Sequence, residues 1–172
     1  MIEAVSDARA LLRTAGYDGP VVTVDTFIAV GNHPELCEAS DYCAINAHPF
    51  FDSTISATQA GQWVRKTVDH LQSLMLTPKS VLVTETGWPT NGISNGLAVP
   101  TLLNQQIAIS AIRKAFGDDL ESLILLSVFD DLWKTNSVAT FYTDKYWGID
   151  GAIAQCDEQI QEIDAGAGKP TY

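Results

Sequence analysis

Val81-Leu82-Val83-Thr84-Glu85-Thr86-Gly87-Trp88-Pro89-Thr90 reads as a short apolar strand that delivers a carboxylate, Glu85, to its own end. Gly87 and Pro89 stop the strand and turn the chain, with Trp88 three residues beyond the acid. The same pattern recurs on both sides. β-branched and apolar runs predict strands over Val21 to Val24, Tyr42 to Ala47, Ser80 to Thr84 and Leu123 to Val128. Helical spacing is found from Ile2 to Thr14 (Ile2, Val5, Ala8, Leu11, Leu12, with Gly16 as the stop), from Thr58 to Met75 and from Leu102 to Phe116. The order helix, strand, connection, strand, helix, strand, helix, strand predicts a parallel α/β sheet. Its strands are apolar throughout, as expected where both faces are covered.

A polar or aromatic cluster follows each strand: Asp25, then Asn46 to Asp52, then Glu85 to Trp88, then Asp130 to Lys134. Carboxyl ends of parallel strands face the ligand, so the four clusters are expected to converge on one site. No GxGxxG or other Gly-rich phosphate loop follows a strand, which disfavours a nucleotide, and no cofactor is expected.

Composition narrows the partners. The 172 residues are 46% hydrophobic and 18% charged, enough apolar mass for one core. Twenty-one acidic against ten basic side chains give a formal charge of −11, which repels phosphate backbones and anionic lipid, so nucleic acid and membrane are excluded as partners. The opening Met1-Ile2-Glu3-Ala4 lacks the basic and apolar segments of a secretory signal. Cys37, Cys43 and Cys156 are odd in number, which leaves one thiol without a partner in these residues. His33, Cys37 and Cys43 lie close together, but their spacing fits no zinc pattern and a fourth ligand is missing. We expect a loop histidine with small buried or disulfide-bonded cysteines, and no metal.

An aromatic face suits a sugar ring, whose axial C–H groups pack on the π surface, so Glu85 with Trp88 and the pair Phe50 and Phe51 points to a saccharide cleft. A second reading stays open, in which Glu85 caps the turn and Trp88 fills core.

Resemblance adds to this. VTETGWP resembles the nucleophile motif of glycoside hydrolase family 17, and Asn46 to Asp52, NAHPFFD, is similar to that family's preceding strand-end motif. Phe129 to Lys134, FDDLWK, looks like its strand-eight segment, and Tyr146 to Ile149 like its closing segment. The likeness covers Ile2 to Ile149, and VTVDTF and PELCEASDY resemble the fungal cell-wall branch more than the plant one. The resemblance implies the C-terminal half, strands five to eight, of a TIM (β/α)8 barrel, over residues 1–155. After Ile149 a short helix is expected, and the Gly-rich and Ala-rich end leads us to expect a flexible tail over 156–172. The resemblance also implies a retaining β-1,3-glucan hydrolase or glucanosyltransferase, extracellular or in the cell wall.

Glu85 is then the nucleophile, and Trp88, His48, Asn46, Phe50, Asp131 and Lys134 are substrate-binding candidates. Asp131 stands where the family more often has glutamate. Asp131 with Lys134 also reads as an ordinary surface pair, and His48 as a structural strand-end histidine. The family's general acid/base lies in a Gly-Asn-Glu motif at the end of strand four. That motif does not occur in these residues: Gly31-Asn32 is followed by His33 and lies past the fifth strand. Expected partners are β-1,3-glucan and either a second copy or a complementing N-terminal half-barrel. Two rival readings are a noncatalytic glucan-binding or regulatory half-barrel, and a freestanding flavodoxin-like sheet whose strand order would expose it.

Overall fold

In a computed structural model, residues 2–150 are described. Four parallel strands, β1 (Val24–Thr26), β2 (Cys43–Asn46), β3 (Val81–Thr86) and β4 (Leu123–Leu125), form one sheet in sequential order β1-β2-β3-β4. A flavodoxin-like sheet would interleave its strands, so that alternative is excluded. Sequential parallel order is how a (β/α)8 wall is laid down.

The register explains where the core sits. Cys43 and Ile45 stand beside Val81 and Val83, and all four are buried in one cluster with Val64 and Val68 of α4 (Ala60–Leu74) and Ile112 and Phe116 of α5 (Leu102–Phe116). The alternate residues face the other way, where Val24 and Ile124 are 46% and 49% exposed. One face of the sheet is thus a packed α/β core and the other is open at the outer strands β1 and β4, while Ala44 between them is covered. The apolar positions Ala60, Gly61, Val64, Val68 and Leu71 form the buried stripe of α4. The 3-10 turn Ala57–Gln59 that leads into it carries a capping box in which Ser56 and Gln59 satisfy each other's backbone N–H groups. The helix α5 has the bounds its spacing predicts: Thr101 caps its start by accepting from Asn104 N, and Gly117, at φ 52°, ends it.

Several boundaries differ from those read in the sequence. Val21 and Thr23 were expected in the first strand. Their N–H groups instead go to the Asp41 carboxylate (2.6 Å) and the Ser40 hydroxyl (3.0 Å), so ladder pairing begins at Val24. The last strand ends early because the ladder changes partner: Leu126 N still donates to Thr86 O, but Ser127 N donates to Trp147 O. The connection after β1 contains two short helices, α2 (Phe27–Asn32) and α3 (Glu35–Ala39), preceded in the chain by α1 (Ile2–Thr14). A Cys37–Cys43 disulfide joins α3 to β2, so these cysteines are not metal ligands, and the His33 ring lies 3.0 Å from Glu35. Cys156, the helix expected after Ile149 and the expected tail lie outside the described residues.

Candidate active site

Strict alternation along β3 would put Glu85 on the face of Val81 and Val83, inside the α/β core. The strand avoids this with a bulge. Against β2, Ile45 pairs with Val83 but Asn46, the next residue, pairs with Glu85. Against β4, Val83 pairs with Leu123 and Thr86 with Leu125, so β3 takes three steps where β4 takes two. Both neighbours therefore count one extra residue in β3 between Val83 and Thr86. A bulge re-aims the side chains around it. Glu85 emerges beside Asn46 on the open face with its side chain 40% exposed, while Thr86 is swung into the core.

Three groups address the Glu85 carboxylate. His48, just past β2, brings Nε2 to 3.4 Å from Oε2. Its ring is wedged edge-on against Trp147 (centroids 4.9 Å) and Phe51 (6.1 Å), and Nδ1 is buried without a partner. Nε2 is thus the ring nitrogen with a partner, and its N–H is placed to donate to Glu85. The Asn46 amide is the second group and the charge of Lys134, beyond β4, the third. The His48 hydrogen bond is the main cause holding the Glu85 carboxyl below the ordinary glutamate range. Asn46 and Lys134 add to it, and together they outweigh the opposing effect of partial burial. Glu85 is accordingly an ionised, oriented carboxylate at the carboxyl end of its strand.

Lys134 Nζ is also bound to Asp131 Oδ2 at 2.6 Å, and this contact holds the Asp131 carboxyl below its usual range. An acid so held is a poor proton donor, since a general acid needs a raised pKa. Asp131 therefore balances Lys134 and does not stand in for the general acid.

Two site expectations are corrected. Trp88 and Phe50 do not face a cleft; both are fully buried. Trp88 donates from Nε1 to Val99 O (3.0 Å) and packs edge-on against Phe50 with centroids 5.5 Å apart, which makes the pair the core beneath the site. Of the aromatic pair after β2 only Phe51, 44% exposed, looks outward. With Phe27, Ile28, His48, Asp52 and Trp63 it lines a groove of about 430 Å³ that begins at the ring holding Glu85. Asp52 is tied there by Trp63 Nε1 (2.9 Å) and Thr54. A hollow of about 490 Å³ bounded by Thr90, Leu102, Val128, Phe129, Asp130 and Gly148 shares no residue with this groove. Trp147 and Thr84 were not read as site residues. Trp147 packs edge-on against His48 in space but lies 99 positions away in sequence, beyond the reach of local pattern.

Residues 1–148 match the BtgE/BtgC glycoside hydrolase domain. The chain belongs to this glycoside hydrolase family. It is 50% identical over 145 residues to the cell surface mannoprotein MP65 of Candida albicans, a match covering 84% of this chain and 37% of that protein. It is 46% identical over 147 residues to the probable family 17 glucosidase SCW10 of Saccharomyces cerevisiae, covering 86% of this chain and 36% of that one. The family 17 resemblance read from the motifs is thereby established. Among solved structures, the family 17 β-1,3-glucanosyltransferase of Rhizomucor miehei superposes with a TM-score of 0.72 at 18% identity, covering 86% of this chain and 51% of that one. An endo-laminarinase from Formosa gives 0.68 at 18% identity, with 86% and 48% covered. At such identity these neighbours speak for the fold, and the fold is that of a partial (β/α)8 barrel. The chain spans little more than a third of the length of those curated relatives and about half of the solved barrels.

Proposed function

We propose that this chain is the nucleophile-bearing half of a retaining β-1,3-glucan hydrolase or glucanosyltransferase. The observation that carries the reading is the ionised Glu85 carboxylate, turned onto the open face by a bulge and held by His48 and Asn46 at a strand's carboxyl end. Glu85 attacks the anomeric carbon of a glucosyl unit while the departing sugar oxygen takes a proton from the general acid/base. That residue then deprotonates water, or the hydroxyl of another glucan, which displaces Glu85 from the glycosyl ester. The two carboxyl groups of such a pair stand about 5 Å apart. By resemblance the second belongs to a strand-four Gly-Asn-Glu motif supplied from outside these residues, by a complementing half-barrel. The groove bounded by Phe51 and Trp63 is where neighbouring glucose units lie, with Asp52 at its wall. A location outside the cell or in the cell wall fits this substrate and the cell-surface name of the Candida albicans relative.

A 2-fluoro glucosyl or laminaribiosyl donor with a good leaving group needs no general acid to depart, whereas laminarin does, and a positioned acid contributes about 10²- to 10⁴-fold. The expected result is a covalent adduct on Glu85, absent in Glu85→Gln, with laminarin turnover far below that of an intact relative. No adduct, with laminarin still bound, would reduce the chain to a noncatalytic glucan-binding element. Full laminarin turnover by the pure chain would show that another carboxylate supplies the proton.

A further inference from the structure

The bulge in β3 leaves a question of cause: what holds an extra residue in a parallel strand, where bulges are rare? Thr84 is the residue at that place. Its Oγ1 lies 2.9 Å from Ile45 O and 2.8 Å from Asn46 Oδ1, both acceptors on β2, so its single hydroxyl proton is shared between them. The hydroxyl therefore spans the gap that the extra residue opens. Its contact to Asn46 is directional. With Oδ1 turned to Thr84, the NH2 is the end of the amide able to donate to Glu85, its register partner on β3, in keeping with the lowering that Asn46 exerts on the carboxyl.

We infer that Thr84 is a positioning residue, which holds the β3 bulge and the Asn46 amide so that Glu85 is presented to the sugar as a fixed carboxylate. Thr84 acts through Asn46 and the backbone of Ile45. The inference rests on the reading of Glu85 as nucleophile only for its consequence in the reaction; the bulge and the amide orientation stand without it. A valine at this position would fill the same space without a hydrogen bond, whereas a serine would keep the bond and lose only a methyl group.

The test uses the full chain and two readouts. The first is an NMR titration of carboxyl-13C glutamate, in which the Glu85 signal is assigned by its loss in Glu85→Gln. The charged or titratable groups facing Glu85 are His48 and Lys134, with Asp131 behind Lys134, and none of these is altered. Thr84→Val should raise the Glu85 midpoint toward that of a free glutamate, and Thr84→Ser should leave it in place. In an Asn46→Ala background Thr84→Val should add little, because the route through the amide is already gone. Thr84→Ala supplies the same comparison where valine does not fold. The second readout is the rate of Glu85 labelling by the fluorinated donor. It should fall by up to about a hundred-fold in Thr84→Val, the scale of an ångström of misplacement, and be restored in Thr84→Ser.

An unmoved midpoint with wild-type labelling in Thr84→Val overturns the inference, as does failure of the serine variant to restore either readout. Absence of an adduct in the wild-type chain, beside a midpoint that moves with valine and not with serine, would instead overturn the nucleophile reading and leave the positioning of the carboxylate intact.

Discussion

At the scale of single residues, the acid was legible in the sequence and its surroundings were only partly so. The end of an apolar strand singled out Glu85, but a turn-capping role fitted the same spacing until the likeness of VTETGWP to the family motif favoured the site. An aromatic residue behind a glycine turn looks the same whether it faces a sugar or the core, and for Trp88 the core won because the turn folds its ring onto Phe50. The two cases separate by experiment. Trp88→Ala should cost about 3–5 kcal/mol of stability, whereas Phe51→Ala, at a half-open ring, should weaken saccharide binding with a much smaller loss in denaturant titration. Nothing in the spelling of VTET marks the bulge, since a two-residue period would send Glu85 inward. Its electrostatic surroundings predict a pH effect. The folded carboxyl is held below its unfolded value, so the contact with His48 stabilises the fold above the unfolded pKa and is lost as pH falls through the folded one. His48→Phe removes the main cause while keeping a ring of similar size. The acid limb of Glu85 labelling should then shift to higher pH; an unchanged limb would mean that His48 does not set the carboxylate's ionisation.

At the scale of elements, long amphipathic pieces were readable and short ones were not. Leu102 to Phe116 was predicted to the residue, because a threonine cap, a regular apolar stripe and Gly117 all agree. The short helices α2 and α3 have too few turns to show a period, and β1 lost its first residues to side chains of Ser40 and Asp41 that no local rule foresees. Helix packing carries its own prediction. A Cβ on Gly61 of α4 would sit 2.0 Å from Ala111 O and 2.4 Å from Ala111 C, both backbone of α5. Alanine gains about 1 kcal/mol over glycine inside a helix, but overpacking against a fixed backbone costs about 1–3 kcal/mol and also parts the two helices. Gly61→Ala should therefore lower the denaturation midpoint despite its better helix propensity. A raised midpoint would show that α4 and α5 can separate at little cost.

At the scale of the whole molecule, the half-barrel was legible from the order of its motifs, because sequential strands with clusters at their carboxyl ends constrain topology more than any single boundary does. The consequence is a sheet whose outer strands, β1 and β4, each have one strand neighbour among the described residues, and whose open face carries Val24 and Ile124. Unpaired edges beside exposed apolar side chains favour pairing with another chain. Opposing this, two copies each carrying a formal charge of −11 repel one another. The range of that repulsion is the Debye length, about 30 Å in 0.01 M salt but about 10 Å in 0.1 M and about 3 Å in 1 M, whereas edge pairing acts at contact and is not screened. Self-association of the chain should accordingly grow with added salt, the reverse of what an interface made of surface ion pairs would do. Sedimentation velocity at one protein concentration across that salt series should show the average mass rising. The double variant Val24→Lys with Ile124→Lys should remain monomeric throughout, with the strands still folded by circular dichroism. A complementing half-barrel that seals the same edges should abolish the salt response in the unmodified chain. A wild-type mass that stays monomeric at every salt, or falls as salt is added, would mean that the open face and edges do not drive association, and that a partner half must be held by contacts other than these strands.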